Sequence, residues 1–218
     1  MEKQNVAILT GDFVKSSSVT PDLLDKAMHQ LAQTAKDVAN WMRPADLRFT
    51  RFRGDGWQVC IEEPPLSLRV ALVFLAILRA GGTKLNSRIS IGVGQVDTLG
   101  TSNLSDGHGA AFEISGRGLD DMKFNDLISL NGMGMSPKDQ IIASLLAELA
   151  VYWTAAQAEA AALYLHPDNP TLKEIAAQLG ISEQAVSYRL KGAGTYKIRR
   201  ALGEWETGLE RGNDRPTP

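Results

Sequence analysis

Between residues 5 and 96 the chain alternates between strand and helix patterns in the order β-α-β-β-α-β. An apolar segment, NVAILTGDFV, precedes a long helical pattern for which Thr20 is the predicted N-cap and Pro21 the first helical residue. The next segments are a hairpin, FTRFRGDGWQVCIE, an apolar helix, PLSLRVALVFLAILRAGG, and an alternating strand, SRISIGVGQV. This is the order of the split βαβ, ferredoxin-like unit, in which helices cover one face of an antiparallel sheet.

The remainder of the chain changes in character after the glycine- and proline-bearing stretch 131–137. Before this stretch, a further helix pattern, GAAFEISGRGLDDMK, and a short strand pattern, DLISL, complete the first part. After it, the chain is rich in alanine and leucine and shows only helical patterns. We therefore predict an α+β protein, with a ferredoxin-like domain over residues 1–135 and an all-α domain over residues 136–218.

The all-α part contains the segment TLKEIAAQLGISEQAVSYRLKGAG. Thr171 is the predicted cap of a short helix, Gly180 permits a tight turn, and Ser182 caps a second helix. The small side chain of Ala176 lets the two helices cross closely. The segment resembles the helix-turn-helix of sigma-factor region 4 and of many bacterial regulators. That resemblance implies double-stranded DNA as a partner, with the second helix in the major groove.

The charge distribution around this second helix favours a nucleic-acid interface. The whole chain has 23 Lys and Arg residues against 25 Asp and Glu residues, so affinity for DNA must come from a local basic surface. No acidic residue occurs between Gln184 and Gly203. The alternatives are an ordinary helical hairpin with a solvated basic face, or a helix-turn-helix that contacts protein. The predicted phosphate contacts are Lys191, Lys197, Arg199 and Arg200, and the predicted base-reading residues are Ser182, Glu183, Gln184, Ser187 and Tyr188.

Two carboxylates are predicted to converge in the first part. Asp12 lies at the end of the first strand pattern and Asp55 at the tip of the hairpin, and these two places are neighbours in a ferredoxin-like unit. Two close carboxylates repel each other unless a cation lies between them, and Mg²⁺ takes carboxylates together with phosphate oxygens. The sequence thus predicts a divalent metal site. The alternative is local: Asp-Gly favours tight hairpin turns, and Asp12 merely caps its loop.

The segments TGDFVKSS, RFRGDGWQV, RISIGVGQV and DGHGAAFEISGRGL, spread over residues 5–130, resemble class III nucleotidyl cyclases and, more closely, SatD-like bacterial proteins. The resemblance implies a cyclase-like palm domain that binds Mg²⁺ with a nucleotide and forms a homodimer. It also implies roles for individual residues: Asp12 and Asp55 bind metal, and Ser16 and Ser17 contact the nucleotide. Lys15 and Arg51 depart from the cyclase pattern, and we expect Lys15 to bind a phosphate and Arg51 to contact a base or a phosphate.

Cyclases also use an asparagine and an arginine four residues apart on the later helix. Arg117 matches the arginine, whereas Glu113 stands at the asparagine position. A carboxylate repels a triphosphate where an amide donates a hydrogen bond, so we expect cyclisation to be slow or absent.

The leading interpretation is a cytoplasmic, DNA-binding transcriptional regulator with a nucleotide-sensing or dimerising palm domain. The alternatives are an active nucleotidyl cyclase or nucleotidyltransferase regulated by its helix-turn-helix, and a protein-interaction module. Cys60 is the only cysteine, and the start MEKQNVAILTGD lacks the pattern of a secretory signal, which favours the cytoplasm. The longest apolar run, VALVFLAIL, is too short to span a bilayer, so no membrane partner is predicted.

Overall fold

The computed structural model describes residues 5–42, 48–52, 54–82, 85–101, 103–123 and 125–213, with backbone alone for residues 211–213. Within these ranges the chain forms a five-stranded sheet and eight α-helices, which confirms the predicted mixed α+β class. No described helix is long and apolar enough to cross a membrane.

The strand order of the sheet is β2-β3-β1-β4-β5. The first four strands are antiparallel to their neighbours and have the order of the split βαβ unit, while β5 is added at the edge, parallel to β4. The strands are β1 (Asn5–Phe13), β2 (Thr50–Phe52), β3 (Gly56–Ile61), β4 (Ser87–Gln95) and β5 (Ile128–Gly132).

The helices begin where the sequence carries capping residues. The Thr20 side chain accepts a hydrogen bond from the Leu23 amide, and Pro21 is the first residue of α1, as predicted. The helices are α1 (Pro21–Ala39), α2 (Ser67–Ala80), α3 (Ala110–Asp120), α4 (Pro137–Val151), α5 (Ala155–Tyr164), α6 (Leu172–Leu179), α7 (Glu183–Gly192) and α8 (Thr195–Asn213).

Helices cover both faces of the sheet, so the expectation of helices on one face was wrong. Strand alternation explains the difference, because β1 buries apolar side chains on both sides. Ala7 and Leu9 pack in the core cluster that includes α1 and α2, whereas Val6 and Ile8 pack on the side of α3. The helix α3 approaches so closely that a Cβ atom on Gly92 would lie 2.4 Å from the Ala111 carbonyl oxygen. The glycines of RISIGVGQV thus serve close packing.

Helices α4 and α5 pack on α2, and both parts of the chain contribute to one core cluster. Arg69 of α2 is 5% exposed and donates to both carboxylate oxygens of Glu206 at 2.7 Å and to the Leu165 carbonyl at 3.0 Å. Arg79 of the same helix donates to the Trp153 carbonyl at 2.7 Å. The division into two domains at residue 135 stays a prediction. The buried ion pair of Arg69 with Glu206 joins the two parts across this boundary.

Candidate functional site

The carboxylate of Asp12 lies on the α3 side of the sheet, directly across from Arg88. The antiparallel register pairs Asp12 of β1 with Arg88 of β4. Both carboxylate oxygens of Asp12 accept hydrogen bonds from the Arg88 guanidinium: Nε donates to Oδ1 at 2.9 Å, and Nη2 donates to Oδ2. We call this contact the Asp12–Arg88 pair. Its side chains are 25% and 31% exposed, respectively, so the pair is only partly screened by water.

Two more carboxylates act on the same guanidinium. The hydrogen bond to Asp12 raises the pKa of Arg88, and the charges of Asp12, Asp120 and Asp55 raise it further, against burial, which lowers it. Asp120 is the last residue of α3. The Asp55 carboxylate also accepts a hydrogen bond from the Ser16 hydroxyl, which connects the loop after β1 to the hairpin tip. Asp12 therefore contacts Arg88 directly, and the charges of Asp55 and Asp120 act on the guanidinium from a greater distance.

This arrangement does not suit a divalent cation. Among the described residues, no group of three or more His, Cys, Asp or Glu side chains is placed to hold a metal ion. Asp12 offers both of its oxygens to Arg88, and the positive guanidinium would repel a second cation beside it. The metal site predicted at Asp12 and Asp55 thus does not fit the side chains as they are arranged.

The predicted nucleotide-binding residues have different surroundings. Lys15 and Ser17 are exposed, and Lys15 has a left-handed backbone with a φ of 56°. Arg51, by contrast, donates through Nε to the Gly54 carbonyl and through Nη1 to Asp25, both at 2.7 Å. Its guanidinium is therefore engaged by the hairpin turn and by α1.

Glu113 and Arg117 lie on the outer side of α3. Their charged groups are 3.8 Å apart, one helical turn from each other, and both side chains are 72% exposed. Arg117 also lines an open groove of about 780 Å³ that includes residues of α3, β5 and α4. Glu113, which stands at the asparagine position of the cyclase pattern, thus lies beside Arg117, which matches the arginine of that pattern.

The helices α6 and α7 have the predicted caps and the predicted turn. Thr171 and Glu174 form a reciprocal capping box at the start of α6. Gly180 ends this helix in the left-handed conformation, with a φ of 63°, and Ser182 caps α7 by accepting from the Ala185 amide. Ala176 is buried in the cluster that holds the two helices together; its other buried members are Ala160, Tyr164, Ile175, Val186 and Leu190.

The exposed face of α7 carries most of the predicted base-reading residues. Gln184, Tyr188 and Lys191 recur at helical spacing and are exposed, and Tyr188 is exposed to 74%. Ser182 and Glu183 are exposed at the start of the helix, and Ser187 is half-buried. This face thus presents polar side chains and one aromatic ring to the solvent.

Arg199 does not share the orientation of the neighbouring cations. Lys197 and Arg200 are exposed, whereas the Arg199 guanidinium lies 3.3 Å from the centroid of the Tyr164 ring and donates to the Tyr164 carbonyl. Burial lowers its pKa. Arg199 therefore packs against Tyr164 in this structure, and its role as a phosphate contact stays a prediction that this arrangement does not favour.

Sequence reasoning missed Arg88, although a signal was present. A strand pattern that ends in Asp12 and a later strand pattern that begins beside Arg88 are neighbours in a split βαβ sheet, so an ion pair could have been inferred.

Trp57 packs on the opposite side of the sheet from the Asp12–Arg88 pair. It is buried, and its Nε1 donates at 3.0 Å to the Ser87 hydroxyl. That hydroxyl donates to the Asp12 carbonyl at 2.7 Å. Trp57 is thus a core residue.

Comparison with known proteins adds little. No protein-family model matches the chain, and no curated protein matches it. Among solved structures, the chain is similar to the crystal structure of the guanylyl cyclase Cya2, with a TM-score of 0.38 and 14% sequence identity. The alignment covers 66% of this chain and 79% of that chain. A similarity this weak does not decide between functions, so the proposals below rest on the geometry described above.

Proposed function

We propose that this protein is a DNA-binding transcriptional regulator whose helix α7 enters the major groove. The observation that carries the proposal is the α6–α7 pair: two capped helices, a glycine turn between them, and an outer face of α7 that presents Gln184, Tyr188 and Lys191. In helix-turn-helix proteins the second helix contacts base edges through its N-terminal residues. Ser182, Glu183 and Gln184 occupy that position here.

The exposed cations near α7 support contacts to the DNA backbone. Lys191, Lys197 and Arg200 are exposed, while Arg189 is engaged by Glu159 at 2.9 Å. Phosphate contacts of this kind provide affinity without sequence information, and polar side chains at the base edges provide the specificity. We therefore expect the exposed cations to provide affinity for DNA and Gln184 to provide sequence preference.

An exposed apolar stripe supports the homodimer that a two-half-site operator requires. Ile141, Leu145, Leu149 and Tyr152 recur along one side of α4 and its end, and each has 48–74% of its surface exposed. A second copy of the chain can bury the same stripe against itself around a two-fold axis. We expect the unmodified chain to be a dimer in light scattering and Leu145→Glu to be a monomer. An unmodified chain that is monomeric would contradict the proposed dimer.

DNA binding is tested with the full chain and a pool of genomic fragments, by fluorescence anisotropy at several salt concentrations. Lys191→Ala should weaken binding to all sequences and reduce the slope of log affinity against log salt by about 1. Gln184→Ala should mainly change which sequences are selected from the pool. Lys26→Ala is the matched control, because Lys26 is an exposed lysine on α1.

Two results would contradict DNA binding by α7. The first is the absence of salt-sensitive binding to any fragment of the pool. The second is an equal effect of Lys191→Ala and Lys26→Ala, which would mean that the loss of one positive charge matters and its place does not.

An active nucleotidyl cyclase is the alternative function. The cyclase-like residues Asp12, Asp55 and Arg117 favour it, but Asp12 is engaged by Arg88, and Arg117 is paired with Glu113. The test is incubation of the full chain with nucleoside triphosphates and Mn²⁺, followed by mass spectrometry for cyclic nucleotide. Product that disappears in Asp12→Asn would establish the alternative.

A further inference from the structure

We propose that Arg88 is the resident cation beside the Asp12 carboxylate, and that it excludes divalent metal ions from the place between Asp12 and Asp55. The guanidinium takes the role that Mg²⁺ has between the aspartates of a metal-dependent palm. The inference is independent of DNA binding by α7.

The first argument is the contact itself. The planar guanidinium of Arg88 meets the Asp12 carboxylate with two parallel donors, and such bidentate, charge-assisted pairs are among the strong hydrogen bonds of proteins. Arginine cannot be deprotonated in proteins, so the positive charge is present at every ordinary pH. A metal ion must therefore displace a permanent charge in order to reach the Asp12 oxygens.

The second argument is that the backbone holds Arg88 in place. Asp12 and Arg88 are directly opposite in an antiparallel pair of strands in the interior of the sheet, and cross-strand neighbours of opposite charge stabilise each other. Asp120 at the end of α3 adds negative charge, and the C-terminal end of a helix favours a cation. The cation site thus belongs to the fold of the sheet and not to a movable loop.

The third argument concerns the second predicted metal ligand. The Asp55 carboxylate accepts from the Ser16 hydroxyl, so the loop after β1 and the hairpin tip are joined without a metal ion. A metal-bound triphosphate would have to share the Asp55 carboxylate with the Ser16 hydroxyl and also displace Arg88 from Asp12. With Arg88 in this position, the ferredoxin-like part of the chain does not bind a metal-bound triphosphate, and its carboxylates stabilise the sheet through Arg88.

The experiment measures Mn²⁺ binding to the full chain, by the loss of the free-ion electron paramagnetic resonance signal and by the change in melting temperature. The unmodified chain should bind Mn²⁺ weakly and show no shift. In Arg88→Gln, the Asp12 carboxylate lacks its counter-ion and the negative charges of Asp55 and Asp120 are no longer offset, so Mn²⁺ should bind at least about a hundredfold more tightly and raise the melting temperature. Arg88→Lys keeps the charge and should behave like the unmodified chain.

Two further variants show where the ion binds. Adding Asp12→Asn to Arg88→Gln should abolish the gained binding. Arg189→Gln is the matched control, since Arg189 is also an arginine paired with a carboxylate, that of Glu159, and it should gain nothing. Tight Mn²⁺ binding by the unmodified chain that Asp12→Asn removes would overturn the proposal, and so would a folded Arg88→Gln variant without gained binding. The measurement on the unmodified chain decides the question even if Arg88→Gln fails to fold.

Discussion

The replacement Glu206→Ala tests whether the helical part of the chain is integral to the core. Glu206 of α8 accepts two hydrogen bonds of 2.7 Å from Arg69, and the side chains of Arg69 and Glu206 are only 6% and 15% exposed. The variant leaves Arg69 buried, with the Leu165 carbonyl as its remaining partner. The positive charge of Arg69 then stays buried without the carboxylate that compensates it.

The size of the effect follows from this burial. Removing one partner of a buried ion pair costs about 3 to 5 kcal/mol, because the remaining charge loses its partner without regaining water. The partial exposure of Glu206 and the third hydrogen bond of Arg69 favour the lower end, so we expect a loss of about 3 kcal/mol in the free energy of unfolding. Replacing both residues, by Arg69→Met with Glu206→Leu, should recover much of that loss.

The assay is urea denaturation of the full chain, followed by circular dichroism and by tryptophan fluorescence. Glu159→Ala is the matched control, because the pair of Arg189 with Glu159 is more exposed and its loss should cost about 0 to 1 kcal/mol. A loss for Glu206→Ala no larger than that of the control would refute the reasoning. Two separate transitions, of which one alone shifts, would show that the parts unfold independently.

The other predictions concern the helices of the proposed DNA-binding part. Ala176→Leu overfills the cluster between α6 and α7, so it should lower the free energy of unfolding by about 1 to 3 kcal/mol and weaken DNA binding; an unchanged melting temperature would contradict the packing described here. Arg199→Ala removes a cation–π contact with Tyr164 and should cost about 1 to 2 kcal/mol without changing the salt dependence of DNA binding. Arg200→Ala should leave the free energy of unfolding unchanged and reduce the salt dependence of DNA binding, because Arg200 is exposed. Equal effects of the two variants on DNA binding would support Arg199 as a phosphate contact.

The predictions that proved correct concern interactions between residues close in the chain. Thr20 and Ser182 cap their helices through amides three residues ahead, and Gly180 ends α6 in the left-handed conformation that glycine adopts at little cost. The order of strand patterns likewise restricts a sheet to few topologies, and the predicted split βαβ order was found. The metal, nucleotide and DNA contacts remain predictions, and the arrangement of Arg88 weighs against the metal.

The sequence by itself determined the capped helices, the turn between α6 and α7, and the presence of charged residues near Asp12 and near α7. Only the tertiary structure decided which partner each charge takes. Arg88 meets Asp12 from 76 positions away, and Arg199 meets the Tyr164 carbonyl from 35 positions away. A charged side chain pairs with whatever the fold brings within a few ångströms, because Coulomb energy depends on distance in space and on exclusion of water. Residue type alone therefore reveals that a charge exists, and the packed structure determines whether it binds a ligand or a neighbour.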